Sequence, residues 1–218
     1  MKLKIIQVLC FLILFIGQSA RSSGQTASTD GQQQVASSRR PSVIMVLGYN
    51  KKTGAHQQAT GFFMNQAGDV ATNYHVIAGV DDIKIWTAAN EGFPVIKIIN
   101  TDIPSDLAIL SVDIPRQYIH PASIASQLPI IGEPVEVVGY PLGHQQTSSK
   151  GVIASILLVP EVDSLIQFTA PIATGCSGSP LFNQSGQVIG IASFILYLGA
   201  NKAPQYFAIP ATRLLMLK

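Results

Sequence analysis

From residue 43 onward the chain is written in short apolar, β-branched runs, broken by Gly, Pro, Asn and Asp roughly every eight to twelve residues. Runs of that length suit strands and are too short for buried helices. They predict strands at 43–48, 60–64, 69–72, 83–87, 94–99 and 107–112, with Asn65-Gln66-Ala67-Gly68 as a hairpin turn. A second set follows at 134–138, 151–158, 165–169, 179–182, 187–192 and 205–209, beyond a linker at 115–128. Long helical periodicity is absent, and only 210–218 reads as a helix, with Pro210 in its first turn. Two sets of about six strands predict an all-β chain of two packed barrels. The first barrel is expected over residues 42–115 and the second over 128–210.

The N-terminus breaks this texture. Met1-Lys2-Leu3-Lys4 precedes an apolar run over 5–17, which has the charged start and short apolar stretch of an export signal. A bilayer span takes about 20 apolar residues, so an uncleaved anchor is the weaker reading. Small residues place the mature start at 20–23, and residues 1–22 are expected to be removed. Cys10 sits too early, behind Gln7, for a lipoprotein signal. Residues 23–41, rich in Ser, Gln, Thr and Gly, cannot repay the entropy of ordering and read as a flexible leader. A periplasmic or secreted location follows, with no stable membrane anchor after cleavage.

Composition adds bounds. Over 218 residues, 47% are hydrophobic and 12% charged, so the chain buries much of itself. A net charge of +2 implies no strong electrostatic partner, nucleic acid included. Once the signal is removed Cys176 is the only cysteine, so an exported chain must stand on its core without an internal disulfide.

Three segments carry candidate chemistry. Gly175-Cys176-Ser177-Gly178-Ser179-Pro180-Leu181 has the small flanks that let a backbone curl tightly around a projecting serine, with the Gly175 and Ser177 amides converging as an oxyanion hole. Alone, it also fits an ordinary Ser/Gly-rich hairpin loop. His75 lies where the apolar strand ends and the turn Ile77-Ala78-Gly79 begins. A neutral imidazole there can take a serine proton near pH 7, although a surface histidine at a strand end fits the same pattern. Asp106, directly before the apolar run Leu107-Ala108-Ile109-Leu110, can fix an imidazole tautomer or simply form a turn. The order His, Asp, Ser along an all-β chain binds the three into one hypothesis, a serine nucleophile with its base and orienting carboxylate.

The chain resembles the chymotrypsin-like serine proteases, and among them the HtrA/Deg branch of bacterial trypsin-like peptidases. The matching segments run in family order through nearly everything after residue 42: Ala59-Thr60-Gly61-Phe62-Phe63, Thr72-Asn73-Tyr74-His75-Val76, Asp106-Leu107-Ala108-Ile109-Leu110, Gly139-Tyr140-Pro141-Leu142-Gly143, Gly175 to Leu181, and Phe207-Ala208-Ile209-Pro210. The resemblance implies two six-stranded antiparallel β-barrels with the active site in the cleft between them. His75 and Asp106 come from the first and Ser177 from the second, with an oxyanion hole from the amides of Gly175, Cys176 and Ser177. It implies an endopeptidase acting on exported or unfolded polypeptides, with a substrate pocket beside Ile172, Ala173, Thr174, Ala192, Ser193 and Phe194. Neither stretch of that pocket holds an acidic residue, so small or medium apolar side chains are expected before the cleaved bond. A non-catalytic peptide-binding module on the same fold is the rival reading.

The chain departs from the family pattern at Cys176, where Asn is usual, and at Ser179, where Gly is usual, and both changes are expected to restrict the loop slightly. It ends soon after Pro210, which leaves no room for the PDZ domain most members carry, and a simple monomeric protease is the plainer expectation. Cys176 as the nucleophile is disfavoured by the spacing. His56, His120 and His144 share no ligand spacing and read as loop residues, so no metal site and no cofactor is expected.

Overall fold

A computed structural model describes residues 39–143, 145–160, 163–199 and 202–217. The expected signal and most of the expected leader, with His144, lie outside the described residues. The first barrel closes in the order β1-β2-β3-β6-β5-β4. Its strands are β1 (Val43–Tyr49), β2 (His56–Phe63), β3 (Val70–Thr72), β4 (Asp82–Trp86), β5 (Gly92–Asp102) and β6 (Leu107–Val112). The second follows from β8 (Pro134–Gly139), β9 (Thr147–Val159), β10 (Asp163–Phe168), β11 (Pro180–Phe182), β12 (Gln187–Leu196) and β13 (Gln205–Pro210), closed by a β11–β12 pairing. All pairs are antiparallel except β7 (Ser123–Ile124), a short strand inside the expected linker that runs parallel to β12.

Why the strands read as continuous apolar runs, and not as an alternation, follows from what each face meets. Successive side chains of a strand point to opposite faces. In β1, Val43 enters a core shared by both barrels while Ile44 and Val46 enter the interior of the first. Phe62 and Phe63, Ala71 and Val70, and Ile109 and Leu110 divide in the same way. On the other side, Val138, Phe182 and Ile191 join the shared core, whereas Val137, Leu181 and Ala192 fill the second barrel. Strands buried on both faces carry hydrophobic residues at every position, and the two barrels are thereby joined through one apolar interface.

Among the described residues two short α-helices complete the frame. Helix α1 (Tyr74–Ile77) is a single turn after β3, where a strand end and turn were expected. Helix α2 (Thr212–Met216) ends the described chain, begins two residues after Pro210, and seats Leu214 in the shared core. The leader expected through residue 41 is seated from Arg39 on: the Arg39 guanidinium lies 2.7 Å from Glu136 and donates to the carbonyls of Asn183 and Gln184 on the second barrel. Arg40–Ser42 then make a 3-10 turn into β1.

Candidate active site

The first barrel presents two of the three expected residues. Asp106 occupies the last position of the β5–β6 turn with φ 54°, a left-handed conformation that Asp tolerates better than most side chains. Its carbonyl accepts the Tyr74 N–H and the Asn73 side-chain amide, which ties the turn to the start of α1. Its carboxylate then takes both N–H groups that His75 can offer. Oδ1 accepts the backbone N–H at 2.9 Å and Oδ2 accepts Nδ1–H at 2.8 Å. With Nδ1 donating, Nε2 is left as the acceptor on the cleft side.

A third donor comes from the other barrel: Ser193 Oγ lies 2.7 Å from Asp106 Oδ2. The sequence marks Ser193 only as a pocket wall, and nothing local in strand β12 signals a bond to a carboxylate 87 residues away. Burial pushes the Asp106 pKa up, but the hydrogen bonds from His75 and Ser193 outweigh it and hold the carboxyl below its usual range. Asp106 is therefore an anion at neutral pH, suited to stabilise an imidazolium.

The second barrel supplies the loop between β10 and β11. Gly175 and Gly178 have φ of 95° and 84°. A Cβ on Gly175 would sit 2.6 Å from the Tyr140 carbonyl, and one on Gly178 would collide with the Thr60 carbonyl. Glycine is required at both. Cys176 and Ser179 have no positive φ, so the two family departures place no side chain in the left-handed region. The loop is bolted to the first barrel through Thr60: its N–H donates to the Ser177 carbonyl at 2.9 Å and its Oγ1 donates to the Gly175 carbonyl at 2.8 Å.

These bonds decide which amides remain for a developing oxyanion. The Thr174 carbonyl accepts the Leu142 N–H at 2.9 Å. Because C=O and N–H of a trans peptide point in opposite directions, the Gly175 N–H is turned the other way. Among the described residues neither the Gly175 nor the Ser177 N–H has an acceptor. The Cys176 N–H does, donating to the Ala173 carbonyl at 3.0 Å. A hole of two amides fits this loop, and the expected contribution of Cys176 is corrected. Its thiol is buried, and burial pushes its pKa up, which leaves a neutral group unsuited to attack.

His75, Ser177 and Gly175 line one cleft of about 490 Å³. Ile172, Thr174, Ser193 and Phe194 line it as expected, together with Ile195 and Tyr197 of the apolar run 194–198. Two expected residues do not. Ala192 is fully buried, and Ala173 faces a separate hollow with Cys176. Phe194 stacks on Phe207 at 4.9 Å, which stiffens one wall. No Asp or Glu lines the cleft among the described residues. The Ser177 hydroxyl donates to the Ser193 carbonyl at 3.3 Å, while the Asp106–His75 pair is already assembled.

Among the described residues no group of three or more His, Cys, Asp or Glu is placed to hold a metal ion. The arrangement supports acyl transfer by a serine, its base and an oxyanion hole.

Comparison with known proteins bears on the family and the fold. The profile of the family described as "Trypsin-like peptidase domain" matches residues 59–191. A relative named probable periplasmic serine endoprotease DegP-like, from Rickettsia conorii, is 36% identical over 160 residues, 70% of this chain and 31% of its own length. Protease Do-like 1, chloroplastic, of Arabidopsis thaliana is 31% identical over 159 residues, 69% of this chain and 36% of its own. The chain thus spans about a third of the length of such relatives. Among solved structures, a protease from M. tuberculosis in its active form superimposes with a TM-score of 0.75 at 22% identity, covering 94% of this chain and 92% of its own, a likeness of fold. The serine endoprotease from Yersinia pestis gives 0.72 at 25% identity, covering 89% and 66%.

Proposed function

The chain belongs to the trypsin-like peptidase family, and we propose that it is a serine endopeptidase with His75, Asp106 and Ser177 as its triad. One observation carries the reading: His75, held by Asp106, and the Ser177 hydroxyl share a cleft with the Gly175 and Ser177 N–H groups, which have no acceptor among the described residues. His75 Nε2 takes the Ser177 proton as Oγ attacks the peptide carbonyl carbon. The oxyanion that forms accepts the Gly175 and Ser177 N–H groups. Collapse expels the amine, which leaves with the proton from His75, and an acyl-Ser177 ester remains. Water, deprotonated by His75, then releases the acid and restores Ser177. Removing one oxyanion donor typically costs on the order of 100-fold to 1,000-fold in rate.

The substrate class is an exported or unfolded polypeptide, cleaved after small or medium apolar residues. The cleft supports this by its walls, since Ile172, Phe194 and Ile195 offer apolar surface and no carboxylate lines it among the described residues. Export is supported by the charged and apolar pattern of residues 1–22 and by relatives named periplasmic, although one is chloroplastic. The test is incubation with unfolded casein and with matched peptides bearing Val, Ala or Arg before the scissile bond. Cleavage by the wild type, its absence in Ser177→Ala, and preference for Val or Ala over Arg are expected. Casein left intact over a broad pH range would overturn the endopeptidase reading, and selective cleavage after Arg would overturn the specificity.

A further inference from the structure

A charge pair that the chemistry above does not use joins α2 to the end of β5. Arg213 Nη2 lies 2.5 Å from Asp102 Oδ2, with the two side chains only 25% and 12% exposed. A second bond of the same clip runs from the Asn100 side-chain amide to the Leu217 carbonyl at 2.7 Å. The last helix, emerging from the second barrel, is thus fastened to the strand that leads into the turn of Asp106.

That turn is held unevenly. At its far end Asp106 is fixed by the Ile103 carbonyl, by α1 and by His75. At its near end Asp102 Oδ1 accepts the Ser105 N–H at 3.2 Å, while Ile103 is 59% exposed and contributes little packing. Ser105 is fully buried, and its N–H bond to the Asp102 carboxylate ties it to the end of β5. Arg213 in turn orients that carboxylate, and Asp102 is the only acceptor of its guanidinium among the described residues. Asp106 follows Ser105 directly and holds a left-handed backbone that a non-glycine residue leaves when its surroundings relax.

We propose that Arg213 is a positioning residue: through Asp102 and Ser105 it holds Asp106 in the one conformation whose two carboxylate oxygens meet the two N–H groups of His75. The proposal rests on the endopeptidase reading for its kinetic consequence and is independent of it for its spectroscopic one. A carboxylate displaced by a fraction of an ångström still allows substrate to bind, so the loss falls on kcat and not on KM.

The experiment compares Arg213→Ala, Arg213→Lys, Asp102→Asn and the double variant Arg213→Ala/Asp102→Asn on casein-derived peptides, at a temperature where melting curves show each to be folded. For Arg213→Ala and Asp102→Asn, kcat is expected to fall about 10-fold with KM within about two-fold. Lys at 213 recovers much of the loss, and the double variant is no worse than either single one. In a Ser177→Ala background, the downfield proton resonance of the His75 Nδ1–H bonded to Asp106 is expected to broaden or move upfield when Arg213 becomes Ala. A kcat within two-fold of wild type, with only the melting temperature lowered, would overturn the proposal, as would an unchanged downfield resonance. If the wild type hydrolyses nothing, the endopeptidase reading fails and the resonance alone decides. Should Arg213→Ala fail to fold, Arg213→Lys and Asp102→Asn decide by the same readouts.

Discussion

Asp106 accepts hydrogen bonds from the backbone and ring of His75 and from Ser193, drawn from both barrels. Its folded pKa lies below its unfolded value, so the stability it contributes is fully present above the unfolded value and is lost as pH falls through the folded one. Urea titrations at a series of pH values should therefore show wild-type stability declining below about pH 4, and Asp106→Asn should flatten that limb. The same substitution should lower kcat on the order of 10⁴-fold, because an amide presents the imidazole with the wrong partner and tautomer. Cys176, with its amide engaged by Ala173 and its thiol buried, should tolerate change to Ala with kcat near wild type; a large loss would give the thiol or its amide a role that the geometry denies it.

Among the elements, the 173–179 loop depends on Gly178, where any side chain meets the Thr60 carbonyl. Gly178→Ala should therefore abolish activity while leaving the far-UV circular dichroism of the barrels intact. The Arg39–Glu136 pair makes the opposite kind of prediction, one of stability. Both side chains are about nine-tenths buried, and removing one strands the other, so Arg39→Ala should cost about 3–5 kcal/mol in urea unfolding. The strands were legible because strands buried on both faces announce themselves as apolar runs, as in β1 and β6. Where pairing alone extends a strand, nothing shows: β2 begins at His56 through polar Gln57 and Gln58, and β9 begins with Thr147-Ser148-Ser149, all held by ladder bonds to a neighbour. The order of His75, Asp106 and Ser177 was legible because His75 and Asp106 adjoin apolar runs and Ser177 sits among the small residues of a tight loop. The contacts that set the site were not. Thr60 to the Gly175 carbonyl and Ser193 to the Asp106 carboxylate join positions 115 and 87 residues apart, through short hydroxyl side chains with no local pattern.

At the scale of the molecule, the apolar core shared by Val43, Phe62 and Ile109 of one barrel with Val138, Phe182 and Ile191 of the other makes the cleft a product of the whole fold. The two barrels should unfold as one unit. Trp86, the single tryptophan, sits in the first barrel, so its fluorescence should follow the same urea transition as far-UV circular dichroism, which reports both. Phe62→Ala, which empties a fully buried site in the shared core, should lower stability by about 3–5 kcal/mol and move both probes together. Because the same interface brings His75 and Ser177 to one cleft, reactivity of that serine reports on both the fold and the chemistry. The most direct measurement is the site of attachment of a fluorophosphonate, mapped by mass spectrometry of the labelled protein. A single adduct on Ser177, absent from Ser177→Ala and strongly reduced in His75→Ala, is the predicted result; no adduct in the folded wild type, or one on another residue, would contradict a serine nucleophile at this position.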